Sequence, residues 1–475
     1  MVLLLPASRL FSLVEMPPKL VLLIGIAFVW WLIRMDMRWR RLPSRPLWIV
    51  GVWVALASSR SIGFWLWAMG LRGGGSSNLE GDPFSAVFNV SLFLIAILIL
   101  NRRGFRWGQF AGANKALIAI FAFFLFSAVW SPFPFPTVKR LGQELGCLLI
   151  APILLTEKDP AASLRVVFAR VSYVLFPLSV IFIRFFPHIG RVVSEVSGSH
   201  MVCGVADHKN SLGQLAMVFC LVLLWDLKET RTSGTAPRTK IQRWARLLNL
   251  GIGLYLLYIS QSATALMCFL LGLGLWLVGK RLARMRNAKA VFVASVLAFL
   301  CLLSLEQMYG ISRRVSQAMG RGEGLSGRTQ IWQKIMEKNT HRLIGAGFRG
   351  FWESSEGEPV WRELGTNRLL SSHNGYLEIY VQGGLLGLFI LFAFILSAGL
   401  NAADKLVKGD PFGRLAVIFW PILLVYNVTE SAFLQIGILW FTMLLVTLDT
   451  SSQYRRVRTF TADSPEVGWA PVPGT

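Results

Sequence analysis

The stretch Leu325-Ser326-Gly327-Arg328-Thr329-Gln330-Ile331-Trp332 sets a cation at the start of a helical pattern, with Ser326 as its N-cap. Ile331, Trp332, Ile335 and Met336 form one apolar face. Arg328, three and four residues ahead of the first two, joins it. An arginine on an apolar stripe beside unpaired helix N–H groups is an anion clamp; its plain alternative is a side chain snorkelling to a membrane interface. Next come Gly345 and Gly347, in Gly345-Ala346-Gly347, where glycines either let backbone amides approach a phosphate or simply make a turn. Then Ser371-Ser372-His373-Asn374-Gly375 opens a further helix. Near the positive end of that helix His373 is held neutral, a base available near pH 7, or else it is only a cap.

A second helix start reads Asp207-His208-Lys209-Asn210-Ser211. Asp207 can cap it while Lys209 brings a cation, and two such starts would suit a diphosphate; ordinary capping with an interfacial lysine explains the same residues. Lys139 and Arg140 follow the proline-rich turn Pro132-Phe133-Pro134-Phe135-Pro136 and make a third cationic spot, or touch lipid headgroups. There is no D-x-D motif, no histidine pair at i,i+4 and no serine nucleophile elbow, so neither a metal nor another cofactor is expected. Five cysteines show no C-x-x-C spacing; only Cys203 reads as loop-borne, and no disulfide or zinc site is expected.

The elements that must position these residues are set by composition. Of 475 residues, 54% are hydrophobic and 15% charged, and mean hydropathy is +0.55, which excludes a soluble α/β enzyme and points to a lipid solvent. Thirteen apolar runs, from 20–33 to 433–448, read as helices. Arg60 interrupts the second, and Ser260-Gln261-Ser262 splits 247–279 into a tight pair. Val2–Leu5, broken by Pro6, is too short for a secretory signal. The expected fold is therefore an all-α polytopic membrane protein of about twelve to thirteen transmembrane helices with one large outer loop, 306–373.

The net charge of +23 reads as topology and anionic-lipid contact, not nucleic-acid binding. Alternate short loops and the tail hold 29 of the 48 Lys and Arg, against 9 in the opposite set and 10 in 306–373. The basic set is then cytoplasmic, and 306–373 faces out, as do all five histidines, His188, His200, His208, His341 and His373.

Taken in order, Ser326-Gly327-Arg328-Thr329 with Trp332, Gly345-x-Gly347, His373-Asn374-x-Tyr376-Leu377-Glu378 and Gly383-Gly384-Leu385-Leu386-Gly387 resemble the signature of the O-antigen ligase / O-antigen polymerase (Wzy-type) superfamily. Trp130-Ser131-x-Phe133-Pro134 with Lys139-Arg140, and Gly204-Val205 with His208-Lys209-Asn210-x-Leu212-Gly213, resemble its exopolysaccharide-production branch. The resemblance implies a GT-C-like fold with a ligase-like domain over 190–400; an N-terminal bundle 1–189 and C-terminal helices 401–448 flank it, and Pro465, Pro471 and Pro473 make 449–475 a loose cytoplasmic tail. It also implies a metal-independent glycosyltransferase in the bacterial inner membrane, its active site facing the periplasm. That enzyme would take an undecaprenyl-diphosphate-linked glycan as donor. Its partners would be a glycan acceptor, membrane lipids and other polysaccharide export proteins.

By that resemblance His373 matches the family's outer-loop base and Arg328 its diphosphate arginine. Lys209, Asn210, Lys139, Arg140, Asn374, Gly345 and Gly347 are expected to bind substrate. The family's Ser-x-Ser-Arg element reads Ser260-Gln261-Ser262-Ala263 here, so its second arginine is missing. Polymerase and ligase both fit. A transporter of lipid-linked sugars is the rival from another class, with Arg60 and the broken second helix in its favour.

Overall fold

The computed structural model describes residues 16–40, 43–71, 82–193, 200–232, 240–283, 328–364, 371–461 and 464–471, with Ala294 and Ala298. In chain order the helices are α1 (Pro18–Trp39), α2 (Leu47–Ala57), α3 (Ile62–Ala68), α4 (Pro83–Arg102), α5 (Trp107–Ala113), α6 (Lys115–Phe126), α7 (Pro134–Leu155), α8 (Pro160–Phe185) and the single turn α9 (Pro187–Gly190). A short ribbon, β1 (Arg191–Val193) with β2 (His200–Val202), precedes α10 (Lys209–Thr232), α11 (Lys240–Ile259) and α12 (Ala263–Ala283). Then come α13 (Arg328–Lys338), α14 (Gly357–Glu363), α15 (Gly375–Val407), α16 (Gly413–Thr429), α17 (Ile438–Thr447) and a hairpin of β3 (Tyr454–Thr461) and β4 (Ser464–Pro471).

Local chemistry starts several of these helices. Proline sits in the first turn of α1, α4, α7 and α8, where its missing N–H costs nothing, and Asp82 and Asp159 cap α4 and α8 through Ser85 N and Ala162 N. Helices occupy twelve of the thirteen apolar runs; the run at 290–305 lies outside the described residues apart from Ala294 and Ala298.

Among the described residues five helices are long and apolar enough to cross a bilayer, or seven spans if two bent pairs each count once. Others, such as α16 and α17, are shorter, and α7 and α11 carry charges within their first two turns, so length and composition alone credit fewer spans than twelve or thirteen. In α1 and α4 only 22% and 17% of the most apolar stretch is buried, against 78% in α8 and α10. The first pair therefore turns apolar surface to lipid while the second forms the centre of the bundle, and the molecule is an all-α, multi-pass membrane protein.

Two polar clusters mark opposite ends of α10. Asn210 lies in its first turn and Asp226 sixteen residues on, a separation of about 24 Å at 1.5 Å per residue. At the Asp226 end, Arg40 bridges Asp36 and Asp226, Arg170 reaches Asp36 at 2.8 Å, and Arg246 reaches Asp226 at 2.7 Å. These charges tie α1, α8, α10 and α11 together. Arginines counted for topology are thus internal partners here.

The stretch expected as a loose tail, 449–475, includes a hairpin. Residues 454–461 and 464–471 pair in register from Tyr454↔Pro471 to Thr461↔Ser464. Val457, Thr459, Phe460 and Thr461 are strand formers, and Pro465 and Pro471 fall near the ends of β4, where proline is tolerated.

Candidate active site

Arg328 is placed by the segment that follows it. Ile335 of α13 is wholly buried with Ala346, Phe351, Trp352, Val360 and Val381 in a small apolar core separate from the main one. Trp332 Nε1 donates to Ser372 O at 2.8 Å, docking α13 beside the approach to α15. Met336, expected on the apolar face, is exposed instead, because that face narrows to Ile331 and Ile335. Arg328, the first residue of α13, then reaches Glu430 at the end of α16, with Nη2 2.7 Å from Oε1.

His373 has φ +51, a left-handed backbone that histidine adopts more readily than most residues and that costs about 1–2 kcal/mol. Its N–H donates to Ser371 Oγ at 3.2 Å. Asn374 Oδ1 accepts from Tyr376 N and Leu377 N and so caps α15, while Gly375 N donates to Glu430 O at 3.0 Å. The close crossing of the two helix ends needs a glycine, since a Cβ at Gly375 would fall 1.9 Å from Asn427 Oδ1. His373 Nδ1 lies 3.3 Å from Glu430 Oε2, and Asn210 Nδ2 donates to Glu430 Oε1 at 2.6 Å. Arg328, His373 and Asn210 thus converge on one carboxylate. Glu430 carries no motif signal; a lone acidic residue closing an apolar run was the only trace it left in the sequence.

Beside this carboxylate lies a cavity of about 300 Å³, whose lining includes Asp207, His208, Asn210, His373, Glu430 and Trp440. His208 Nδ1 accepts from Asn210 N at 3.2 Å, so His208 supplies the α10 cap expected of Asp207. Burial holds the His208 imidazole below its ordinary pKa, against the opposite pull of Glu430 and Asp207.

The O-antigen ligase family matches residues 248–392, a span that holds Arg328, His373 and Asn374. That stretch resembles an O-antigen ligase domain. The exopolysaccharide production protein ExoQ of Rhizobium meliloti (strain 1021) is 27% identical over 343 residues, 69% of this chain and 74% of that protein. The resemblance to the superfamily and to its exopolysaccharide-production branch is borne out, and an O-antigen ligase/polymerase-type membrane enzyme is what this helical fold houses. Asn210 and Glu430 lie outside the matched span, which meets the site's other half only in three dimensions.

Other residues expected at the site do different work. Gly345 N donates to His341 O within the loop, while the bonds from Ala346 N to Val381 O and from Gly347 N to Gln382 O dock the loop onto α15, so these amides are not left for a phosphate. The fit is close: a Cβ on Gly345 would meet Gln382 C at 2.2 Å, and one on Gly384, where α15 kinks with φ +62, would meet Leu343 C at 2.2 Å. Asn374 is occupied as a cap. Arg140 donates to Arg349 O at 2.8 Å and pairs with Glu353 at 3.0 Å, while Arg349 pairs with the buried Glu144 at 2.7 Å. Arg140 therefore fastens α7 to the loop, and Lys139 sits half-buried beside it on α7. Lys209 starts α10 but does not line the cavity.

The broken second helix is anchored. α2 and α3 meet at 75°, and Arg60 Nε donates to Ala206 O at 2.9 Å with Nη2 3.3 Å from Cys203 Sγ. Cys203 is loop-borne, between β2 and α10, and fully buried there, and burial raises its thiol pKa. Ser58 and Ser59 at the break form part of the cavity wall. Ala263, where the second arginine is expected, precedes Thr264, whose Oγ1 lies 2.6 Å from Thr429 Oγ1, next to Glu430. Ser326, the expected cap of α13, lies outside the described residues. Among the described residues no three His, Cys, Asp or Glu side chains group to hold a metal ion.

Proposed function

We propose that this enzyme polymerises undecaprenyl-diphosphate-linked repeat units into exopolysaccharide on the periplasmic face of the bacterial inner membrane. The convergence of Arg328, His373 and Asn210 on Glu430 carries this reading. A hydroxyl of the acceptor sugar attacks the anomeric carbon of the donor glycan. Its proton passes to His373 Nε2, and the anomeric C–O bond breaks with its electron pair leaving on the diphosphate. Glu430 accepts at Nδ1 of His373, which fixes the tautomer and leaves Nε2 with a lone pair. Arg328 meets the leaving diphosphate; its bond to Glu430 engages Nη2, and a guanidinium carries five N–H donors. A fixed cation at the leaving group makes a metal unnecessary. The position of Arg60, locked to Ala206 and Cys203 rather than lining a central path, speaks against transport.

The domain's likeness to ligases favours a second reading, transfer of a finished glycan to a lipid or other acceptor. Polymer from a strain lacking the gene separates the two. Loss of long chains with single repeat units retained supports the polymerase; loss of only the attached form supports the ligase.

A further inference from the structure

The cavity beside Glu430 has a lining ill suited to a diphosphate. Among the described residues that line it there is no lysine or arginine; Arg328 meets Glu430 from outside that lining. A leaving diphosphate needs cations. Serine hydroxyls, the amides of Asn210, Gln214 and Gln435, and the carboxylates of Asp207 and Glu430 instead match the hydroxyls of a sugar. Trp440 adds an aromatic wall, and its buried Nε1–H finds no acceptor among the described residues. At about 300 Å³ the cavity is at the small end of ligand sites, which run to about 1,000 Å³, and suits one sugar ring better than a chain of them.

Two histidines of opposite polarity line it. His208 Nδ1 accepts from Asn210 N, so the neutral ring carries its proton on Nε2. His373 Nδ1 faces Glu430 Oε2, an acceptor only, so this ring carries its proton on Nδ1 and offers a lone pair at Nε2. A charged His208 would turn a second N–H onto the Asn210 amide, so the cap itself favours the neutral ring. The pair therefore offers one donor and one acceptor to the same small space.

We propose that this cavity is the acceptor-sugar subsite, in which His208 Nε2–H donates to one hydroxyl of the sugar whose attacking hydroxyl gives its proton to His373. The proposal rests on the transfer reading above and divides the two substrates between the two sides of Glu430, the acceptor sugar in the cavity and the diphosphate at Arg328.

The test uses the full-length protein in lipid nanodiscs and two soluble or dispersed probes. One is the oligosaccharide released by mild acid from the producing cell's lipid-linked pool, which has neither lipid nor diphosphate. The other is bare undecaprenyl diphosphate. The parent protein is expected to bind both. His208→Ala should weaken oligosaccharide binding and raise the acceptor KM at least tenfold, while leaving undecaprenyl diphosphate affinity at the parent value. His208→Gln, which keeps a donor, should recover part. Gln214→Ala gives a second route if His208→Ala fails to fold. No oligosaccharide binding by the parent protein overturns the proposal, as does a variant that loses diphosphate affinity while sugar binding holds. If transfer proceeds but neither sugar binding nor acceptor KM moves, the subsite is wrong and the transfer reading stands. If the sugar binds through His208 but no transfer occurs, the subsite stands and the transfer reading fails.

Discussion

Nδ1 of His373 lies 3.3 Å from Oε2 of Glu430, a meeting between the approach to α15 and the end of α16. A carboxylate there orients the ring and stabilises it once it has taken a proton. Glu430→Gln keeps the shape but offers an amide that can donate to Nδ1 and select the wrong tautomer. Turnover should fall about 10²–10⁴-fold, the usual range for disabling acid–base catalysis, with the unfolding temperature little changed. Parent turnover in a folded Glu430→Gln protein would remove Glu430 from the mechanism.

Arg328 and His373 should fail differently. Arg328→Ala is expected to lose affinity for the lipid-diphosphate donor as well as turnover, and Arg328→Lys to recover only part, because lysine keeps the charge without the planar fork. His373→Ala should still bind donor. Donor titrations on the three variants check this, and normal donor binding by Arg328→Ala would make that side chain a structural partner of Glu430 alone.

His208 gives a pH signature. Burial depresses its pKa below the ordinary 6.5, so the folded state resists a proton that the unfolded chain accepts. The stability tied to the neutral ring is present above the unfolded value and is lost as pH falls through the folded one. Unfolding temperature should drop on acidification below about pH 6.5, and His208→Gln should flatten that drop. Melting curves between pH 5 and pH 8 decide it; an unchanged slope in the variant sinks the assignment.

The kink of α15 is a packing requirement. Gly384→Ala must hold a side chain at φ +62 and push Cβ against Leu343, so it should destabilise by more than about 1 kcal/mol. Because α13 packs against the same loop, Arg328 should shift and donor affinity fall with stability. A Gly384→Ala protein as stable as the parent would show that the loop can retreat.

Most helices were legible because apolar runs bounded by charges and prolines need no tertiary information. Arg328 and His373 were legible as candidates because each stands at or just before a helix start within a short motif. Glu430 was not, since its partners lie 102, 57 and 220 residues away and nothing local marks it. The pairing of Arg40, Arg170 and Arg246 was hidden for the same reason: their partners Asp36 and Asp226 stand on different helices, and only Arg40 has one nearby in sequence. Gly345 and Gly347 were legible as special but not as to purpose, because a close backbone approach looks alike in sequence whether the neighbour is a phosphate or α15.

The most direct test is chain elongation by the purified protein. Radiolabelled lipid-linked repeat units are supplied in nanodiscs with excess chelator, and products are sized on a gel while released undecaprenyl diphosphate is counted. The account predicts a ladder of lengthening polymer, one lipid diphosphate released per bond formed, and no ladder from His373→Ala. A ladder from His373→Ala at the parent rate, or elongation that stops with chelator and returns with Mg²⁺, would contradict it.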